Sequence, residues 1–269
     1  MFTWVTVEPG VRIFVNDINP AGSKTILFIH GWPGNSNLFE YQYNILPSHD
    51  VRCIGIDMRG YGRSDKPWGG YDYNRLADDL RIVMEEMNLN NITLAGHSTG
   101  GAVAIRYMSR HQAYGVSKLA LFAAAAPSLI QLPYFPYGQT LDAVNSIINQ
   151  TDTDRPGMLN NFKDMFFYQQ VSESFGQWFL NMGLEASSYA TIAIARAWLT
   201  EELFSDLPSI NVPTLILHGI HDEVCLYPLA LAQSQLIPDP RLITFENSGH
   251  GLFYDEKDKF NTELLNFIL

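Results

Sequence analysis

The feature that most restricts the fold is the pentapeptide Gly96-His97-Ser98-Thr99-Gly100, because of what flanks it. Before it, Asn91-Ile92-Thr93-Leu94-Ala95 is short, apolar and β-branched and reads as a buried strand; after it, Ala102 to Arg110 has helical spacing. Strand, tight turn and helix around a serine with glycine two residues before and two after form the context of a nucleophile elbow. The glycines let the backbone reverse without a Cβ collision, so the Ser98 hydroxyl projects from the turn while the first N–H groups of the helix point at the same spot. A nucleophile beside a developing anion is the chemistry such a bend serves.

The rest of the chain alternates in a way that places this bend in a sheet. Thr3 to Val7 and Val11 to Val15 flank Glu8-Pro9-Gly10 and predict an opening hairpin. Thr25 to Ile29 is a continuous apolar run that enters the loop His30-Gly31-Trp32-Pro33-Gly34, and Val51 to Ile56 enters Asp57-Met58-Arg59-Gly60. In the second loop, Asp57 with Arg59 and Arg63 suggests an ordering salt bridge. Leu76, Leu80, Val83 and Met87 mark the buried stripe of a helix, and Lys118 to Phe122 is another strand. The rhythm returns with Val212 to Leu217, then Arg241 to Phe245, then a closing helix over Asp255 to Ile268. Strands alternating with helices imply a mostly parallel sheet of about eight strands covered on both faces.

Between these halves the pattern changes. Helix-like segments near Asp142 to Asn149, Asn160 to Tyr168, Phe175 to Met182 and Ala190 to Leu199 follow one another without a strand. The predicted organisation is a core of residues 1–126 and 209–269, with a helical cap over 127–208 inserted before the last two strands. Such an insertion sits over the strand ends, so some of its aromatic side chains should line a pocket. Phe162, Phe166 and Trp178, together with Trp32, are the candidates for contacting substrate.

At 46% hydrophobic content, 269 residues suffice for a substantial core. The formal charge of −11 disfavours phosphate backbones and anionic membrane surfaces, and no stretch reaches the roughly 18 apolar residues of a membrane span. A cytoplasmic protein is the default expectation. Cys53 and Cys225 show no metal-ligand spacing and read as ordinary thiols, so neither metal nor cofactor is called for.

A serine nucleophile needs a base within hydrogen-bond reach and a group that orients the base. Of seven histidines, His97 points away from its neighbour on a sharp turn, His30 and His218 precede glycines at strand ends and suit structural hydrogen bonds, and His49 and His111 read as solvated. His250, in the loop Ser248-Gly249-His250-Gly251 after the last strand, can reach across the top of the sheet. Asp222, just past the preceding strand, approaches the same rim, whereas Glu223 faces away. Ser98, Asp222 and His250 thus fall in the chain order of α/β-hydrolase triads, each after a different strand. The oxyanion donors would be the backbone N–H groups of Thr99 and Trp32, each worth about 3 to 4 kcal/mol in the transition state.

With these residues in place, the sequence resembles the α/β-hydrolases of the bacterial arylesterase and cofactor-free (non-haem) haloperoxidase or perhydrolase group. The likeness runs along nearly the whole chain: HGWPG at 30, DMRGYGRSDKPW at 57, GHSTGG at 96 followed by Arg106-Tyr107, DLPSINVPTLILHG at 206 and SGHG at 248. The resemblance implies an α/β-hydrolase fold, Ser98, Asp222 and His250 as triad, Trp32 and Thr99 as oxyanion donors, and a cap over 127–208. Two departures bear on substrate. Thr99 stands where these esterases often carry methionine, leaving more room and adding a hydroxyl near the acyl group. The loop Ile220-His221-Asp222-Glu223-Val224-Cys225-Leu226 lacks the first acid and the proline that relatives often have.

The expected activity is hydrolysis of small or aryl carboxylic esters through a Ser98 acyl-enzyme. Perhydrolysis is a side reaction suggested by Pro33, which matches the perhydrolase-like members. A lactonase or carbon–carbon hydrolase with the same triad, or a small-molecule receptor of this fold, are the alternatives; epoxide hydrolases and haloalkane dehalogenases need aspartate at position 98. The expected partner is a small-molecule ester, with neither nucleic acid nor membrane, and self-association stays open.

Overall fold

The computed structural model describes residues 1–269. Strands β1 (Phe2–Glu8) and β2 (Val11–Ile18) form the opening hairpin, followed by β3 (Lys24–Ile29), the single-turn helix α1 (Glu40–Tyr43), β4 (Val51–Asp57) and α2 (Tyr73–Glu86). Then come β5 (Ile92–His97), α3 (Thr99–Arg110) and β6 (Val116–Phe122). Three helices follow in succession: α4 (Leu141–Phe166), α5 (Glu173–Glu185) and α6 (Ser188–Trp198). The chain closes through β7 (Thr214–Gly219), α7 (Tyr227–Leu236), β8 (Pro240–Phe245), α8 (Leu252–Asp255) and α9 (Lys257–Ile268).

The eight strands make one sheet in the order β1-β2-β4-β3-β5-β6-β7-β8. β2 runs against both neighbours, and all pairings from β4 to β8 are parallel. The continuous apolar runs arise because these strands are covered on both faces: every residue of β5 and β7 is buried. Helices α2, α3 and α7 pack on one face, and α1, α8 and α9 on the other. On the second face Phe28, Phe39, Phe122, Phe253 and Phe260 form an aromatic seam with ring centroids 4.6–6.5 Å apart. The order of strands reverses between β3 and β5, so a crevice opens where these two strands end.

The helices start where the sequence supplies caps. Asp72, Thr140, Ser172 and Ser187 each accept a hydrogen bond from the backbone N–H three residues on, opening α2, α4, α5 and α6. Two of the four expected helical segments between β6 and β7 join into one element. Thr151 and Thr153 bond back to the carbonyls of Ile147 and Asn149, carrying the helix on to a kink at Asp154 (φ −151°, ψ 71°). Asp154 then accepts from the Gly157 N–H at 3.1 Å and caps the second half, whose first turn tolerates Pro156. The entry and exit of the three-helix insertion are tied together by a hydrogen bond from the Leu203 N–H to the Pro127 carbonyl (2.8 Å). No helix is long and apolar enough to cross a membrane.

Candidate active site

Ser98 occupies the turn from β5 into α3 with φ 54° and ψ −122°, a strained conformation for a residue with a side chain. The flanking glycines are required by contact. A Cβ on Gly96 would collide with the Gly100 carbonyl, and one on Gly100 with the carbonyls of Ile29 and His30. Ser98 is the N-cap of α3, yet its side chain makes no capping bond, so the hydroxyl stays available for chemistry. Thr99 opens the helix, where backbone N–H groups lack intrahelical partners.

The loop after β3 lies directly on this turn. A Cβ on Gly31 would fall 2.9 Å from Ser98 Cβ and 2.6 Å from His97 Nδ1. The next residue, Trp32, has a backbone N–H with no acceptor in the protein, while its indole donates to the Thr191 carbonyl at 3.0 Å. The ring packs edge-on against Phe162 and Trp198, with centroids 5.0 and 5.1 Å away.

On the opposite side, Asp222 and His250 are both buried, and His250 Nδ1 donates to Asp222 Oδ2 at 2.8 Å. That bond sets the tautomer and leaves Nε2 as the basic nitrogen; Nε2 is buried and makes no hydrogen bond. Asp222 Oδ1 accepts from the N–H groups of Val224 and Cys225, each at 2.8 Å. Burial pushes the Asp222 carboxyl up, but the His250 charge and hydrogen bonds from His218 and His250 outweigh it, holding the group well below the usual carboxylate range. His218 Nε2 donates to the Cys225 carbonyl (2.6 Å) and lies 3.3 Å from Asp222 Oδ2.

His97 is buried and donates from Nε2 to the His250 carbonyl at 3.0 Å, which fastens the loop that presents the imidazole. Burial and the neighbouring His250 push its pKa well below the usual value. His30 is likewise a neutral structural group: Nδ1 donates to the Gly31 carbonyl and Nε2 accepts from Met58 N–H. His111, expected in solvent, lies 2.9 Å from Asp78. The salt bridge expected within the second loop does not form. Asp57 instead accepts from the backbone N–H groups of Ser36 and Arg63, while Arg59 pairs with Asp79 and Glu8.

Cys225 is the neighbour that sequence reasoning overlooked. Its thiol is fully buried and contacts Ser98 Oγ at 3.8 Å; burial, with Asp222 nearby, pushes it well above the usual thiol range. Only the three-residue spacing from Asp222 hinted at it. No group of three or more His, Cys, Asp or Glu side chains is placed to hold a metal ion.

An apolar cavity of about 250 Å³ lies beside this cluster, under α4. Of the four side chains expected to meet substrate, Phe162 lines it and Trp32 packs behind Phe162. Phe166 sets its ring edge-on to His250, centroids 4.9 Å apart. Trp178 lies elsewhere: spacing placed it on a helix, but its half-buried ring packs against Tyr41 and Phe175. The Thr99 hydroxyl, expected near the acyl group, accepts instead from the Trp198 indole at 3.1 Å. Trp198 and Val224 complete the wall nearest Ser98.

A nucleophile, a carboxylate-oriented imidazole and a pair of backbone donors in one crevice can carry out acyl transfer. Comparison with known proteins shows the fold family. The sequence profile of the α/β hydrolase fold family matches residues 24–257. The chain is 46% identical to the AB hydrolase superfamily protein YisY of Bacillus subtilis (strain 168) over 264 residues, 98% of each chain. It is 30% identical to the bifunctional esterase/perhydrolase DCH of Acinetobacter calcoaceticus, covering 98% of this chain and 99% of the relative. Among solved structures, an esterase (EaEST) from Exiguobacterium antarcticum superposes with a TM-score of 0.97 at 43% identity, covering 100% of this chain and 99% of the other.

Proposed function

The chain belongs to the α/β-hydrolase fold family, and on that premise we propose that it hydrolyses carboxylic esters through an acyl-enzyme on Ser98. The observation that carries this reading is the buried Asp222–His250 pair, whose Nε2 is free of any other partner beside a serine that does not cap its helix. His250 Nε2 takes the Ser98 proton as Oγ attacks the ester carbonyl carbon. The oxyanion is held by the N–H groups of Trp32 and Thr99. As the tetrahedral adduct collapses, His250 returns that proton to the leaving alcohol. Water then gives a proton to Nε2 and attacks the acyl carbon, releasing the carboxylic acid and restoring the serine.

Asp222 remains ionised throughout, because its hydrogen bonds favour the charged form. The likeness to a relative named esterase/perhydrolase favours a second acceptor. Hydrogen peroxide in place of water would leave the same acyl-enzyme as a peracid.

The test is turnover of p-nitrophenyl acetate by the wild type and Ser98→Ala, with mass spectrometry after a fluorophosphonate probe. A fall of at least about a thousandfold in kcat/KM, with the probe attached to Ser98 in the wild type, is the expected result. Retained turnover in a folded Ser98→Ala protein, or a probe on another residue, overturns the assignment.

A further inference from the structure

We propose that the substrates are esters of unbranched, uncharged acyl chains of medium length, and that the chain runs into the cavity under α4. This rests on the esterase reading and assigns one side of its scissile bond. The cavity wall nearest Ser98 consists of Phe162, Trp198 and Val224. Phe162 packs on Trp32, and Trp198 is bonded to Thr99, so two of the three back onto the residues that carry the oxyanion donors. Neither His250 nor Phe166, which packs on its ring, lines the cavity. The leaving alcohol must stand at His250 Nε2 to receive its proton. The acyl chain, on the other side of the carbonyl, is the part we assign to the cavity.

The lining decides the chemistry of that chain. Leu129, Val144 and Ile147 supply apolar surface, and no charged side chain lines the space. Its two side-chain amide donors are already engaged: Gln139 donates to the carbonyls of Glu223 and Val224, and Gln150 to the Ser146 hydroxyl. A sugar or charged acyl group would find little there to replace its lost water, whereas an alkyl chain needs nothing further. A space of about 250 Å³ holds more than an acetyl group and suits a chain of several methylenes.

The experiment is a series of p-nitrophenyl esters from acetate to dodecanoate, with pentanoate compared to its carboxylate-ended counterpart glutarate, on the wild type and on Ile147→Trp and Ile147→Ala. Moving a methylene from water into an apolar site is worth up to about fourfold. The wild type should therefore rise at least tenfold in kcat/KM from acetate to hexanoate or octanoate and fall again by dodecanoate. Glutarate should be at least tenfold poorer than pentanoate. Ile147→Trp should lower the octanoate-to-acetate ratio at least tenfold, and Ile147→Ala should move the optimum to a longer chain, a readout that stands if the tryptophan variant fails to fold. Acetate turned over as well as octanoate, glutarate equal to pentanoate, or an optimum that neither variant moves overturns this assignment and leaves the esterase reading standing. No turnover on any ester overturns both.

Discussion

At the scale of single residues, the Thr99 hydroxyl carries a role that its place in the sequence did not suggest. Beside the nucleophile it reads as a group facing substrate, but the buried indole N–H of Trp198, 99 positions away, takes it as acceptor. Thr99→Val removes the acceptor while keeping the shape. A buried donor left unpaired costs about 1 to 3 kcal/mol, so urea unfolding of the variant should show a loss of stability of that size. That Ser98, Asp222 and His250 would come to one rim of the sheet was legible because each follows a strand, and neighbouring parallel strands end on the same side. Cys225 was not: its contact with Ser98 depends on the path of the seven-residue loop between β7 and α7, and no periodicity encodes that path. For the same reason the buried Arg59–Asp79 pair was invisible, since it joins a loop to the middle of a helix.

At the scale of elements, the sheet was readable because strands covered on both faces leave uninterrupted apolar runs, and the helix starts because Asp72, Thr140, Ser172 and Ser187 are capping types at the right offset. The packing of α4 to α6 was not readable. Their aromatic residues recur at helical spacing whichever surface they meet, so Phe166 and Trp178 looked alike although one touches His250 and the other Tyr41. One of the ties between this insertion and the loop that carries His250 is Asp255, in α8. It accepts from Tyr168 and Gln169 after α4 and from Gly249 beside His250, all within 3.1 Å. Asp255→Ala should lower stability by about 1 to 3 kcal/mol, through three donors left to find other partners. It should also speed hydrogen exchange at the Tyr168 and Gln169 amides more than in β5, which native-state exchange by NMR would resolve.

For the molecule as a whole, the buried histidines set the response to mild acid. Burial lowers the pKa of His30 and His97 in the folded protein, whereas the unfolded chain binds their protons near the ordinary value of about 6.5. Below that pH the unfolded state holds more protons, so stability falls as pH falls. The loss from these two groups between pH 7.5 and 6 should be at most about 1.5 kcal/mol, read from urea midpoints. Asp79 and Asp255, whose carboxyls burial raises, act with the opposite sign in more acidic solution, which is why the window stops at 6. The hydrogen bond between Leu203 and Pro127 has a different kind of consequence. It closes the neck of the insertion between two strands, β6 and β7, that already pair with each other. What lies beyond the neck can be lengthened, shortened or exchanged by recombination without breaking a rung of the sheet. A segment grafted in its place would still have to supply the partners that Phe166, Thr191 and Trp198 give to His250, Trp32 and Thr99.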